Sequence, residues 1–146
     1  VRPFDVPNDV EAWLALRQRA IADLRPAPRR WLHADYQAEM YDKPWWSAER
    51  NWLAVADGAP DMPVGAVTLA VREGKARSVA VVHWLLVDRA WRRRGIGRLL
   101  TSQLEQAAWD AGWREVQLET HAAWSAAVAF YDALGYAAVD TPSGSQ

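Results

Sequence analysis

The stretch Asp88–Leu100, DRAWRRRGIGRLL, restricts the fold of this chain more than any other. In front of it the apolar run SVAVVHWLLV has the β-branched content of a strand, and behind it Leu100, Leu104, Ala107 and Ala111 recur at helical spacing. A strand must therefore become a helix across RRRGIG, with the helix starting near Gly97. The unpaired amides of a helix N-terminus point outward with the positive end of the helix dipole, which suits an anion. Gly95 and Gly97 let the backbone approach that anion without a Cβ in the way, and either can take positive φ. Arg92, Arg93, Arg94 and Arg98 surround the turn with charge. Because the whole chain carries a formal net charge of only −1, these arginines are a local concentration, which favours a small anion such as a phosphate over a nucleic acid.

The remaining pattern predicts one α/β domain over residues 1–146, with 51% hydrophobic and 24% charged residues supplying a sizeable core. VRPF reads as a short strand. Asn8 followed by Glu11 predicts a capping box for a helix whose Val10, Trp13, Leu14, Arg17, Ile21 and Leu24 share a face, Arg17 being the one interruption of its apolar edge. RPAPRR breaks the chain, and RWLHADYQAEMYD predicts a second helix ending before Pro44. NWLAVADG and PVGAVTLAV predict strands joined by a turn, and ARSVAVVHWLLVD a longer one. After the helix stopped by Gly112 come a strand, REVQLET, and a helix from about Ser125 to Leu134 ended by Gly135. The tail YAAVDTPSGSQ has room for one short strand.

Several chemistries are excluded by residue type. With no cysteine there is no disulfide, thiolate metal site or Cys nucleophile, and no His and carboxylate spacing resembles a zinc site. VRPFDVPNDVEAW lacks the layout of a signal peptide and no apolar run reaches membrane-spanning length, so a cytoplasmic protein is expected, without metal, membrane or nucleic-acid partner. The ten tryptophans follow no fixed period and belong mostly to core and rim; YDKPWW, Tyr41–Trp46, is the segment suited to lining a pocket.

A P-loop would need G-x-x-x-x-G-K-S/T, and a dinucleotide loop would need glycine where Leu100 stands. The pattern Q/R-x-x-G-x-G/A is met by Arg92, Gly95 and Gly97. It resembles the pyrophosphate-binding motif of the GNAT superfamily, the acetyl-CoA-dependent N-acyltransferases. AAVAFYDALGY is similar to that family's helix A-x-x-x-F/L-Y-x-x-L-G-F/Y, and the resemblance covers about residues 76–140, a cofactor-binding half. Residues 1–75, the acceptor-side half, resemble it in element order.

The resemblance implies a mixed, mostly antiparallel central sheet flanked by helices, with a splayed central strand pair holding acetyl-CoA. Leu85, Leu86 and Val87 would pair with pantetheine, and the amides from Arg93 through Ile96 to Arg98 would hold the pyrophosphate. Tyr131 would protonate the departing thiolate. Trp124 stands where many members have an Asn that touches the cofactor, and would pack beside the pantetheine arm. The family's strand carboxylate is missing from SVAVVHWLLV, which leaves His83 as the candidate general base and His121, Glu119 or water as rivals. Strict alternation would put Val81, His83, Leu85 and Val87 on one side.

The expected reaction is transfer of acetyl to a primary amine, of a small molecule in preference to a protein, by direct attack. A catalytically degenerate CoA-binding module and a peptide acetyltransferase are the alternatives. Trp31, Trp45, Trp46 and Tyr41, with Asp35, Glu39 and Asp42, fall where the family lines its acceptor side, and aromatic faces with carboxylates suit a cation. The family sheet ends in two strands after the tyrosine helix. This chain has room for one, which predicts a homodimer through the C-terminal region.

Overall fold

The computed structural model describes residues 1–5, 8–73, 77–118 and 125–137. In chain order come β1 (Arg2–Pro3), α1 (Val10–Ala20), α2 (His33–Tyr36) running into a π turn (Gln37–Tyr41), β2 (Asn51–Ala56) and β3 (Ala59–Glu73). They are followed by β4 (Ser78–Val87), α3 (Ile96–Asp110), β5 (Val116–Leu118) and α4 (Ser125–Ala133). The strands form one sheet in the order β1-β2-β3-β4-β5, antiparallel throughout except for the parallel β4–β5 pair. The reason is connectivity. Short links such as the turn at Gly58, φ 80°, can join antiparallel neighbours, whereas β4 reaches β5 only after the α3 crossover.

Each face of the sheet buries a different helix set. On one, Leu53, Ala66 and Leu86 pack against Trp13, Leu16, Tyr36 and Met40 of α1, α2 and the π turn. On the other, Trp52, Val67, Leu69, Ala80 and Val82 pack against Leu100, Leu104 and Ala108 of α3. Of the apolar stripe read at period 3.6 in α3, Leu100 and Leu104 are buried, Ala107 is partly buried and Ala111 is exposed, the last buried turn being made by Ala108 instead. Its N-terminal end comes close to the sheet because β3 offers no side chain there: a Cβ on Gly65 would lie 2.8 Å from Ile96 Cγ2 and 2.9 Å from Leu100 Cδ1.

The capping box expected of Asn8 and Glu11 does not form. Asp9 is the N-cap of α1, and its side chain makes no capping bond. Its carboxylate instead accepts both Nη atoms of Arg2, each at 2.8 Å, and the Asp5 amide at 2.6 Å, while Asn8 donates to Asp5 Oδ2. The Arg2 hydrogen bond holds the Asp9 carboxyl below its ordinary range. A bidentate charged pair outweighs one cap bond, and it ties β1 to the start of α1.

Glu119, His121 and Trp124, and residues 138–140 of the YAAVD stretch expected to dimerise, lie outside the described residues. Among the described residues, α4 and the segment after it meet α3 through Tyr136 and Phe130. Tyr136 Oη, just past α4, donates to Glu105 Oε2 at 2.8 Å, and Phe130 lies over Gly97, where a Cβ would be 2.8 Å from its Cζ.

Gly97→Ala is accordingly expected to lower stability by about 1–3 kcal/mol through overpacking, read as the urea midpoint. Adding Phe130→Leu should recover part of that loss, since contacting residues are not additive. A double variant no more stable than Gly97→Ala would sink this packing account.

Candidate acetyl-CoA and acceptor site

The site is organised by an irregularity in β4. Along β3 the register runs from Ala66 to Thr68, while β4 runs from Leu86 back to His83, one residue more. The extra residue sits at a bulge, where Trp84 takes φ 48°. Strict alternation is thereby broken, and the expectation that His83 shares a face with Leu85 and Val87 is overturned. His83, Trp84 and Leu86 are turned toward α1 and α2, whereas Leu85 packs with Val82 in the α3 cluster. The pairing of β4 with β5 runs from Ala80↔Val116 to Val82↔Leu118. From His83 to Val87, among the described residues, β4 has a strand partner on the β3 side alone.

His83 is enclosed by indoles, edge-on to Trp45 at 5.6 Å and beside Trp84 at 6.0 Å. Burial, with a smaller contribution from Lys43, pushes its pKa down to about 4. It is therefore neutral at pH 7, with a free lone pair but little basicity. Its cross-strand neighbour Thr68 is buried and donates to Asn51 Oδ1 at 2.5 Å, and Asn51 Nδ2 donates to the Ser47 carbonyl at 2.7 Å. Asn51, Thr68 and His83 form one polar row across three strands.

Beyond β4 the chain folds into the turn that the sequence led us to expect. Arg93 at φ 65° and Gly95 at φ 79° are both left-handed, a backbone form that gathers successive N–H groups on one side. Gly95 is the N-cap of α3 and no side chain caps it. The two motif glycines answer to different constraints. A Cβ on Gly95 would meet nothing within 4 Å, so what this position needs is its φ. At Gly97 the nearby atoms belong to Phe130, so close helix packing, rather than approach of an anion, is what excludes a Cβ.

The loop arginines also divide. Arg92 donates from Nη1 to Asp23 Oδ2 at 3.1 Å and from Nη2 to the Ala20 carbonyl at 2.5 Å, anchoring the loop to the end of α1. Asp88 accepts from Arg19 Nε at 2.9 Å and anchors it again. Arg94 stacks 4.8 Å from the Trp91 ring centre, and Arg93 and Arg98 are exposed. Tyr131 is partly buried, beside Phe130 and Tyr136, and burial pushes its hydroxyl up to about 12.

Sequence reading missed the role of Arg17. It is only 2% exposed, and its guanidinium carbon lies 4.5 Å from the ring centres of both Trp31 and Trp84. Trp13 stands edge-on to Trp84 at 6.3 Å and tilted against Trp31 at 5.8 Å, completing a box of three indoles. Nη1 donates to the Arg29 carbonyl at 3.0 Å, and Nε is buried without a partner. Burial first and Arg29 second lower its pKa to about 10, against Asp35, so it stays cationic at neutral pH. Trp31 thus faces the chain's own cation, which corrects its assignment to an acceptor amine. Asp35 is committed to Arg29 at 3.0 Å and to the Leu32 amide at 2.7 Å, and Asp42 accepts from Gln37 at 2.6 Å. Trp46 packs on Tyr41 and donates to Tyr36 Oη at 3.3 Å. Glu39 is exposed. Of the residues expected on the acceptor side, Trp45 is the one in ring contact with His83. The signal for Arg17 was in the sequence, as a cation on an apolar helix edge.

This arrangement matches known proteins. The model of the Acetyltransferase (GNAT) family aligns with residues 15–136. A mycothiol acetyltransferase of Kocuria rhizophila is 34% identical over 138 residues, 93% of this chain and 45% of that protein. One from Nocardiopsis dassonvillei is 35% identical over 144 residues, 97% of this chain and 43% of that protein. The chain therefore spans less than half the length of these curated relatives. Among solved structures, a putative acetyltransferase from Agrobacterium tumefaciens superposes with a TM-score of 0.69 at 25% identity, covering 97% of this chain and 94% of that one. The aminoglycoside N-acetyltransferase AAC(6')-Iy in complex with CoA gives 0.68 at 18% identity over 92% and 85%, a likeness of fold. With a mostly antiparallel sheet, a left-handed loop opening α3 and the family model matched over residues 15–136, the chain belongs to the GNAT family of acetyltransferases.

Proposed function

We propose that the chain transfers an acetyl group from acetyl-CoA to a primary amine of a small molecule. The observation that carries the reading is the loop from Arg93 to Gly95, whose left-handed residues and uncapped helix start favour a pyrophosphate. Pantetheine would lie along Leu85–Val87, where β4 continues past its last pair with β5. The relatives named mycothiol acetyltransferase favour a small-molecule acceptor. The loop arginines tied to Asp23 and Trp91 leave less free charge for nucleic acid than the sequence suggests.

In this reaction the neutral amine attacks the thioester carbonyl carbon, a C–N bond forms, and the C–S bond breaks to release the CoA thiolate. Tyr131, held protonated by burial, gives its proton to that sulfur. His83, neutral and facing the acceptor side, accepts a hydrogen bond from the amine and aligns its lone pair. With a pKa near 4 it does not keep a proton, so the amine enters already neutral, and the proton its nitrogen sheds as the amide forms passes through solvent to restore the Tyr131 hydroxyl. Much of the acceleration comes from holding the two reactants together.

The test is thiol release from acetyl-CoA over a panel of chemically distinct small amines and peptide N-termini. Release with no amine in the panel, despite tight CoA binding, would sink the enzyme reading in favour of a CoA-binding module.

Tyr131→Phe should slow single-turnover chemistry by roughly a hundredfold to ten-thousandfold with CoA affinity little changed; an unaltered rate would leave Tyr131 as packing. Gly95→Val puts a β-branched residue at a left-handed position. It should weaken CoA binding at least tenfold, about 1.4 kcal/mol, by calorimetry on the folded variant.

The depressed pKa of His83 has a consequence for stability. In the unfolded chain it titrates near 6.5, and in the folded protein near 4. Between those values the unfolded state binds the extra proton, so the contribution of neutral His83 is full above about pH 6.5 and is lost as pH falls through 4. Urea unfolding of His83→Gln should show a shallower decline across this window than the parent; identical slopes would contradict the burial of a neutral imidazole.

A further inference from the structure

We propose that Arg17 is a positioning residue for the acceptor side: by filling the indole box it holds the Trp84 ring, which packs against His83, and with it the bulge that sets His83 and Leu85 on opposite faces. Its catalytic part rests on the acetyl-transfer reading, while the clamp itself does not.

Three observations converge. First, Trp84 is left-handed, a conformation a bulky residue keeps only when its surroundings over-determine it. Its ring is in contact with Arg17, Trp13, Trp31 and His83. Second, the Arg17 cation is held in an unfavourable place. It is buried with Nε unpaired, no carboxylate among the described residues pairs with it, and its one hydrogen bond goes to a loop carbonyl. Burying a charge this way is poor for stability, and an apolar residue of similar volume would be tolerated or preferred. Third, what the guanidinium does gain is a cation–π contact with both Trp31 and Trp84 at equal distances, a contact an aliphatic side chain cannot copy. Trp31 lies in the long link between α1 and α2 and Trp84 on β4, so Arg17 from α1 joins three separate parts of the acceptor wall.

The test uses Arg17→Met, which keeps volume without charge, and Arg17→Ala with added methylguanidinium. The structural readout is near-ultraviolet circular dichroism of the coupled indoles, which needs no substrate. Arg17→Met is expected to unfold at an equal or higher urea concentration than the parent yet lose most of the indole band. In Arg17→Ala, millimolar methylguanidinium should restore the band. The catalytic readout is a split: affinity for acetyl-CoA within about threefold of the parent, and kcat/KM for the acceptor amine down at least tenfold, with partial recovery by methylguanidinium. An unchanged band in folded Arg17→Met overturns the clamp. A changed band with unchanged kcat/KM overturns the role in positioning the acceptor. Equal losses of CoA affinity and turnover would mean that Arg17 acts only on the fold, which also overturns it. A parent protein that binds no acetyl-CoA would refute the enzyme reading instead, and the indole band would still decide the clamp.

Discussion

The two halves of the site face opposite sides of one strand because β4 carries one residue more than its neighbour. In a regular strand His83, Leu85 and Val87 would share a side, and with Val82 in the α3-facing core that side would be the one toward α1 and α2. The left-handed turn at Trp84 shifts the phase after His83, leaving the imidazole on the α1 and α2 face and sending Leu85 to the α3 face. Such a conformation costs of order 1–3 kcal/mol. The indole's enclosure by Arg17, Trp13 and Trp31 offsets that strain.

Buried polar groups follow the same line. Asn51 and Thr68 are hydrogen-bonded to one another and to a backbone carbonyl, so the two members of the row beside His83 are satisfied. Arg17 is the contrasting case, with an unpaired Nε. A core selected for stability alone would have kept the first and replaced the second.

The strand, glycine turn and following helix were legible in the sequence because each depends on local chemistry: apolar alternation, residues free to adopt positive φ, and apolar recurrence at helical spacing. The mixed sheet with a mostly antiparallel half was legible from element order and the family resemblance. What failed depended on partners remote in sequence. The capping box read from Asn8 and Glu11 gave way to Asp9 at the N-cap, its carboxylate held by the Arg2 guanidinium of β1. Gly97 was read as room for an anion, but the ring it makes room for belongs to α4. The split between His83 and Leu85 was missed because a bulge leaves no mark in a run such as VVHWLLV, where every residue suits a strand. Trp31 was read as a cation receptor, and it is one, though the cation is Arg17.

Helix α1 lies between the two halves of the site. One turn before its end Arg17 enters the acceptor wall, and at its end Ala20 and Asp23 grip Arg92 while Arg19 grips Asp88. The anion loop and the acceptor wall are thus mounted on the same rod. A first ligand that stilled this rod would leave the second less freedom to remove. Linkage makes this help mutual: an acceptor that tightens the hold on acetyl-CoA is itself held more tightly in return, by the same factor.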